Sequence, residues 1–146
     1  MQKIYTILCG AIIVIALPYC SGRKNSDTAQ HKTSPTDASA AAETYHELMA
    51  QSFHPYMDSG NLMPAKAHAD ELASAAAQWY ESVSKDLPDT TLTAKLRQLD
   101  IHSHAFADIA KGGTEDTIGK SLDHLHHEFH GVMELWSNKL EDHSSK

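Results

Sequence analysis

Cysteine is almost absent from this chain, since only two of its 146 residues are cysteines. Both of them, Cys9 and Cys20, lie near the N-terminus. No cysteine pair is therefore left in the rest of the chain to form a disulfide or a zinc site of thiolate ligands. A metal site beyond residue 20 has to use nitrogen and oxygen ligands.

Concentrated positive charge is missing as well. The chain has 12 Lys and Arg against 19 Asp and Glu, which gives a formal net charge of −7, and it contains no run rich in Lys and Arg. Because nucleic-acid phosphates are bound by clustered positive charge, we do not expect a nucleic-acid partner.

The chain also lacks the motifs of common enzyme classes. It has no glycine-rich phosphate loop, no evident nucleophile with its base, and no repeated Glu-x-x-His pair of the kind that di-iron bundles use. The segment "HLHHE" differs from the His-Glu-x-x-His of zinc proteases, so Glu128 is not placed as their general base. We therefore predict that the protein is not an enzyme.

The only long apolar run lies at the N-terminus, in "MQKIYTILCGAIIVIALPYC". From Ile4 to Leu17 it is shorter than the roughly 20 residues of a membrane-spanning helix, which is typical of a secretory signal. Leu17 stands three positions before Cys20, and this spacing resembles the lipobox of bacterial lipoproteins, whose cysteine is lipidated and becomes the first residue. Tyr19 departs from that pattern, in which Gly, Ala or Ser normally precedes the cysteine.

Residues 1–20 are accordingly predicted to be a lipoprotein-type signal peptide, with Cys20 as the lipidation site. An uncleaved anchor and a simple secreted form are the alternatives. The resemblance implies an exported protein in the cell envelope, anchored to a membrane by its N-terminal lipid and facing the periplasm or the cell surface. Residues 21–40 are rich in Ser, Thr, Asp and Ala, and we interpret them as a flexible tether because they offer little apolar surface to bury.

The remainder, residues 41–142, is predicted to form an all-α domain, an antiparallel up-down-up-down four-helix bundle. Pro55 is expected to kink or end the first helix, and Asn61 is a candidate N-cap of the second. The predicted helices cover 41–57, 62–84, 91–110 and 115–140. Their apolar stripes comprise Tyr45, Leu48, Met49, Phe53 and Tyr56; Leu72, Ala76, Trp79 and Val83; Leu92, Leu96, Leu99, Ser103, Phe106 and Ala110; and Ile118, Leu122, Leu125, Phe129, Val132, Trp136 and Leu140.

Histidine is abundant where the other ligand types are scarce. Four of the 11 histidines lie in "DHLHHEFH", residues 123–130. At about 100° per residue, His126 and His130 fall on the flank of the apolar stripe of the fourth helix, whereas His124 and His127 fall on its solvent side. A spacing of four residues lets two imidazoles on one helix converge on a single ion.

Further ligands are expected from the other helices. Three histidines lie in the middle of their predicted helices and on the flanks of the apolar stripes: His46, His68 and His102. In an antiparallel bundle their heights along the bundle axis would roughly match that of His126. Together with His126 and His130 they would form a site suited to zinc, copper(II) or nickel, all of which accept imidazole. The alternative interpretation is that these histidines form only a solvated polar face, or hydrogen-bonded boundary positions.

The segments "AQSFHPYMDSGNLMPAKAHADELASAAAQWYESV" and "LHHEFHGVMELW" resemble exported bacterial four-helix bundles, similar in shape to the cytochrome c-prime proteins, over residues 41–140. The resemblance implies a helical bundle. The haem-attachment pattern of two cysteines followed by histidine is missing, so neither covalent haem nor electron transfer is implied. Met49 and His126 resemble the Met and His that hold haem without covalent links in some bundles, although Met49 is equally a core position.

Two functions follow from these patterns. The first is a membrane-anchored lipoprotein that binds a transition metal, zinc or copper, through histidines on its helices, in order to buffer or sense it. The second is a structural or interaction module without a cofactor, tethered to the membrane.

Overall fold

The computed structural model describes residues 35–88 and 90–144, and every regular element in that part of the chain is an α-helix. The five helices pack together around one core, so the prediction of an all-helical protein is confirmed. None of the described helices is long and apolar enough to cross a membrane. The predicted signal peptide and Cys20 lie outside the described residues. The helices are α1 (Pro35–Ser59), α2 (Met63–Ala67), α3 (Ala69–Ser84), α4 (Thr91–Gly112) and α5 (Glu115–Ser144).

Helix α1 begins within the segment that we predicted to be a tether. It starts at Pro35, a residue that is tolerated in the first turn because that turn needs no amide donor. Ala38 is only 5% exposed, so this first part of α1 packs against the core. Pro55 lies inside the helix, which continues for another four residues and ends at Ser59.

The end of α1 is a glycine cap. Gly60 has φ +72°, a left-handed conformation that glycine adopts without steric penalty. Its amide donates to the carbonyl of Tyr56 at 2.8 Å, which is the 5→1 hydrogen bond of an αL cap, and the amide of Asn61 donates to the carbonyl of Pro55 at 3.2 Å. The Asn61 side chain accepts the amide of Met63, the first residue of α2, at 3.0 Å. The N-cap position of α2 is Leu62, however, so the prediction of Asn61 as N-cap is wrong by one residue.

The predicted second helix is divided at His68. The backbone of this residue has φ −93° and ψ 2°, outside the helical range, and separates α2 from α3. Hydrogen bonds between residues four apart continue on both sides, because the amide of His68 donates to the carbonyl of Pro64 at 3.0 Å and its carbonyl accepts the amide of Leu72 at 2.8 Å. The prediction that His68 lies in the middle of a helix is therefore wrong, since it occupies the junction of two helices.

Threonine side chains mark the starts of the last two helices. The hydroxyl oxygen of Thr90 accepts the amide of Thr93 at 3.2 Å, and that of Thr114 accepts the amide of Thr117 at 3.3 Å. Between them α4 ends at Gly112, in the "KGG" segment that predicted its stop. The ends of α4 and α5 lie two and four residues beyond the predicted Ala110 and Leu140.

The core consists of the predicted stripes with few exceptions. Leu140 is 40% exposed and Ala110 is half-buried, whereas the other stripe residues of α3, α4 and α5 are buried.

An aromatic cluster occupies the centre. Its ring centroids are 6.1 Å apart for Tyr45 and Trp79, 5.4 Å for Tyr45 and Phe129, and 6.4 Å for Trp79 and Trp136.

Helix α5 has neighbours on two sides, which is what positions the histidines. It packs against α4 and against α1, while α3 also packs against both of those helices. At one level α5 approaches α1 very closely: a Cβ placed on Gly119 would lie 2.7 Å from the hydroxyl oxygen of Tyr56. Side chains on the two flanks of α5 therefore face different helices.

Candidate metal centre

A hydrogen bond between side chains joins α4 to α5 at the level of the histidine cluster. The Nδ1 atom of His102 on α4 lies 2.7 Å from Oε2 of Glu128 on α5. Both side chains are partly shielded from water, with 39% of His102 and 22% of Glu128 exposed. A short contact between an imidazole N–H and a carboxylate is a charge-assisted hydrogen bond, which fixes the orientation of both groups.

His124 completes a group of three. It lies one turn before Glu128 on α5, and its Nε2 atom is 3.5 Å from Oε1 of that residue. Its ring centroid is 5.5 Å from that of His102. Each of the three residues offers one ligand atom, and the three atoms lie within 4.8 Å of one another, the only such group in the part of the chain that the structure describes.

The His102–His124–Glu128 group offers donor atoms of the types that a tetrahedral zinc ion binds. Zinc binds imidazole nitrogen and carboxylate oxygen at about 2.0–2.2 Å, so two ligand atoms of a tetrahedral site lie about 3.3 Å apart. His102 Nδ1 lies 2.7 Å from Oε2 of Glu128 and His124 Nε2 lies 3.5 Å from Oε1, two different oxygens of one carboxylate, and one ligand atom from each residue lies within 4.8 Å of the others. Small side-chain rotations would bring the three atoms to the separation of a tetrahedral site. Two histidines and one carboxylate leave a fourth position open, and the same donors are accepted by copper(II) and nickel.

A buried polar contact lies behind this group. The hydroxyl groups of Tyr45 and Ser103 are 3.1 Å apart in the core, and Ser103 follows His102 in α4. Burial raises the pKa of Tyr45, the hydrogen bond from Ser103 opposes that change, and the charge of Glu128 adds to it. The tyrosine is therefore held neutral. On the solvent side, an open groove between α4 and α5 reaches His124 and Glu128 and is also lined by Lys95 and Gln98.

His126 and His130 form a separate pair on the other flank of α5. Their Nε2 atoms are 3.0 Å apart, and the rings are nearly perpendicular, at 88°. The His126 ring stacks on Phe53 of α1 with a centroid distance of 3.6 Å and an interplanar angle of 11°. His126 is half-buried by this contact, whereas His130 is exposed.

The surroundings of His126 favour its neutral form. Burial lowers its pKa from the usual 6.5, and the neighbouring His130, His127 and His54 lower it further, while Asp123 partly opposes them. A neutral imidazole is the form that binds a metal ion.

The five predicted ligands do not converge on one point. His102 belongs to the group with His124 and Glu128, and His126 pairs with His130. His46 is exposed and stacks on Phe129 at 5.5 Å. His68 lies at the junction of α2 and α3, where its buried Nδ1 atom has no hydrogen-bond partner.

The sequence prediction did not include two residues of this group, His124 and Glu128, among the candidate ligands. His124 was assigned to the solvent side, and its side chain is indeed 65% exposed, yet it reaches Glu128 along the surface. The signal was present in the spacing, because positions 124 and 128 are four residues apart and share one face of the helix. Met49, considered as a haem ligand, is a core residue with 1% exposure.

We compared the chain with protein-family models, with curated proteins and with solved structures, and no match was found in any of the three.

Proposed function

We propose that this protein is a membrane-anchored lipoprotein of the cell envelope that binds a transition-metal ion through His102, His124 and Glu128. The observation that carries the proposal is the convergence of two imidazoles and one carboxylate from α4 and α5 within 4.8 Å. Zinc and copper(II) are the ions that such a donor set fits best, because both bind imidazole strongly and accept a carboxylate.

The fold that we propose for the domain is an antiparallel up-down-up-down bundle of α1, α3, α4 and α5, with α2 as a short extra turn. Two features support it: each of these helices packs against two of the others, and the connections between successive helices are short. In such bundles metals are held between facing helices, and the proposed site lies between α4 and α5.

Buffering or sensing fits this site better than permanent structural binding. Structural zinc sites in proteins usually have four protein ligands, whereas this group supplies three and leaves one position to water. His124 is 65% exposed, so an ion bound here has a short path to solvent. We therefore propose an exchangeable ion.

The anchoring part of the proposal rests on the N-terminal sequence. The apolar run, the short polar head and Cys20 resemble a lipoprotein signal, and the residues after Cys20 are small and polar. A lipid on Cys20 would hold the metal-binding domain at the membrane surface, where it would meet ions that enter the envelope.

The test is metal binding by the full-length chain after treatment with a chelator. Zinc and copper(II) should each bind in isothermal titration and add mass under non-denaturing conditions. A bound ion should also raise the free energy of unfolding by about 2.7 kcal/mol at a concentration one hundred times the dissociation constant. His102→Ala and Glu128→Gln should each weaken binding strongly. His104→Ala is the matched control, because His104 lies on the same helix and is 63% exposed.

Equal binding by His102→Ala, Glu128→Gln and His104→Ala would contradict the assignment of the site. If the unmodified chain binds neither ion, the cofactor-free interaction module becomes the better explanation. His102 and Glu128 would then act only as a hydrogen-bonded pair between α4 and α5, a role for which their 2.7 Å contact is sufficient.

A further inference from the structure

Helix α5 carries two interleaved pairs of ligand side chains. His124 and Glu128 are four residues apart, and so are His126 and His130. The second pair is displaced from the first by two residues, or about 200° around the helix axis, so the two pairs lie on nearly opposite faces. The first pair meets His102 of α4, and the second contacts Phe53 of α1.

We propose that His126 and His130 form a second metal site, independent of His102, His124 and Glu128, that binds one copper(II) ion. The distance between the two Nε2 atoms carries this proposal. Two imidazole nitrogens bound at about 2.0 Å to one ion lie about 2.8 Å apart at neighbouring corners of a square and about 3.3 Å apart in a tetrahedron. The observed 3.0 Å falls between these values. The ion would replace the proton of this hydrogen bond but would lie to one side of the line between the two nitrogens. Each imidazole therefore has to turn within its own plane to aim its lone pair at the ion, while the distance between the two nitrogens changes little.

Phe53 orients this pair in advance. Its ring is buried, with 7% exposure, and stacks almost parallel to the His126 ring at a centroid distance of 3.6 Å. The contact restricts rotation of the imidazole and keeps Nε2 directed at His130. Because less side-chain freedom is lost on binding, a ligand held in this way binds more tightly than a freely rotating one.

The number of protein ligands decides which ion is favoured. No third His, Cys, Asp or Glu among the described residues joins this pair in a three-ligand group. With two nitrogens and the other positions left to water, affinity follows the intrinsic order of the divalent ions, in which copper(II) ranks highest. His130 is exposed, so water and ions reach the site directly.

The experiment is a copper(II) titration of the full-length chain followed by electron paramagnetic resonance. The unmodified protein should bind two equivalents at these sites. In a His102→Ala, Glu128→Gln background one equivalent should remain, with hyperfine splitting from two imidazole nitrogens. Adding His130→Ala should remove that signal and weaken this equivalent at least about tenfold, because losing an outer-shell partner alone typically costs about 10- to 100-fold in affinity.

His127→Ala in the same background is the matched control. His127 neighbours the pair on α5, is 73% exposed, and bonds to the carbonyl of Asp123, so its loss should leave the copper signal unchanged. His130→Ala removes an exposed side chain, and circular dichroism should show unchanged helicity. The second site would be overturned if His130→Ala and His127→Ala bound copper(II) equally, or if no copper remained in the His102→Ala, Glu128→Gln background. If no copper remained in the His102→Ala, Glu128→Gln background, the proposed function would still stand. If copper were lost only with His130→Ala, that result would contradict the proposed function and support this second site.

Discussion

The hydroxyl groups of Tyr45 on α1 and Ser103 on α4 are 3.1 Å apart and have no exposure to solvent. They link two helices through the middle of an otherwise apolar core. A buried hydroxyl without a partner typically costs about 1–3 kcal/mol, so each of these groups depends on the other.

We therefore expect Tyr45→Phe and Ser103→Ala each to lower the free energy of unfolding by about 1–3 kcal/mol. The double variant should lose less than the sum of the two, since it leaves no hydroxyl unpaired at this position. Urea denaturation of the four proteins measures the coupling. Strictly additive losses would show that the two hydroxyls do not stabilise each other.

A second prediction concerns the close approach of α1 and α5. In Gly119→Ala the new Cβ would lie 2.7 Å from the Tyr56 hydroxyl oxygen and 2.9 Å from its ring. We expect the free energy of unfolding to fall by about 1–3 kcal/mol, as for overpacked cores. Gly131→Ala on the same helix is the control. Apart from its chain neighbours and the backbone of its own helix, no atom lies within 4 Å of its new Cβ, so helix propensity should raise the free energy of unfolding by up to about 1 kcal/mol. A stabilised Gly119→Ala would show that the helices separate easily here.

The lowered pKa of His126 gives a pH prediction for the metal-free protein. Burial against Phe53 lowers this pKa in the folded state, and the charges of His130, His127 and His54 lower it further, against the opposing charge of Asp123. The unfolded chain, with a histidine pKa of about 6.5, then binds the proton more readily than the folded chain. The contribution of His126 to the free energy of unfolding is complete above about pH 6.5 and is lost as the pH falls towards the lowered pKa of the folded state.

Measured in chelator, the free energy of unfolding of the unmodified protein should therefore fall more between about pH 7.5 and about pH 5 than that of His126→Gln. His104→Gln, at an exposed position of α4, should behave like the unmodified protein. Parallel pH profiles for the unmodified protein and His126→Gln would contradict the predicted coupling.

The anchoring proposal is tested at Cys20. Replacing Cys20 with Ala removes the sulfur that would carry the lipid, so the protein should move from the membrane fraction to the soluble fraction, and labelling with a radioactive fatty acid should be lost. Cys9→Ala is the control, because Cys9 lies inside the apolar run and would not be acylated. Unchanged membrane association of the Cys20→Ala variant would show that something other than this lipid holds the protein.

The helices and most of the core could be predicted because both depend on local periodicity. Leu72, Ala76, Trp79 and Val83 repeat at helical spacing, and all four are buried. The break at His68 could not be predicted, since neither Gly nor Pro stands at that position and the hydrogen bonds on both sides continue. The start of α1 was missed because "SPTDASA" has little apolar surface. The side chain of Ala38 is nevertheless buried, because it is small and even a short contact with the core covers it.

The candidate site shows where helical periodicity stops being informative. The angle of a residue around its helix predicts its distance from the core, but not which neighbouring helix covers each flank. His126 and Glu128 lie on opposite flanks of α5, so the first meets Phe53 of α1 and the second meets His102 of α4. The predicted single site of five histidines combined residues from both flanks of α5. The sequence alone does not show that these residues face different helices, because that depends on how the helices pack.

The aromatic cluster has a spectroscopic consequence. The chain contains two tryptophans, Trp79 and Trp136, and both lie in this cluster with their rings at 87° and centroids 6.4 Å apart. Their fluorescence emission and their near-ultraviolet circular dichroism therefore both report on the packing of this aromatic cluster. Tertiary packing can be followed there without an added label, separately from the far-ultraviolet signal of the helices.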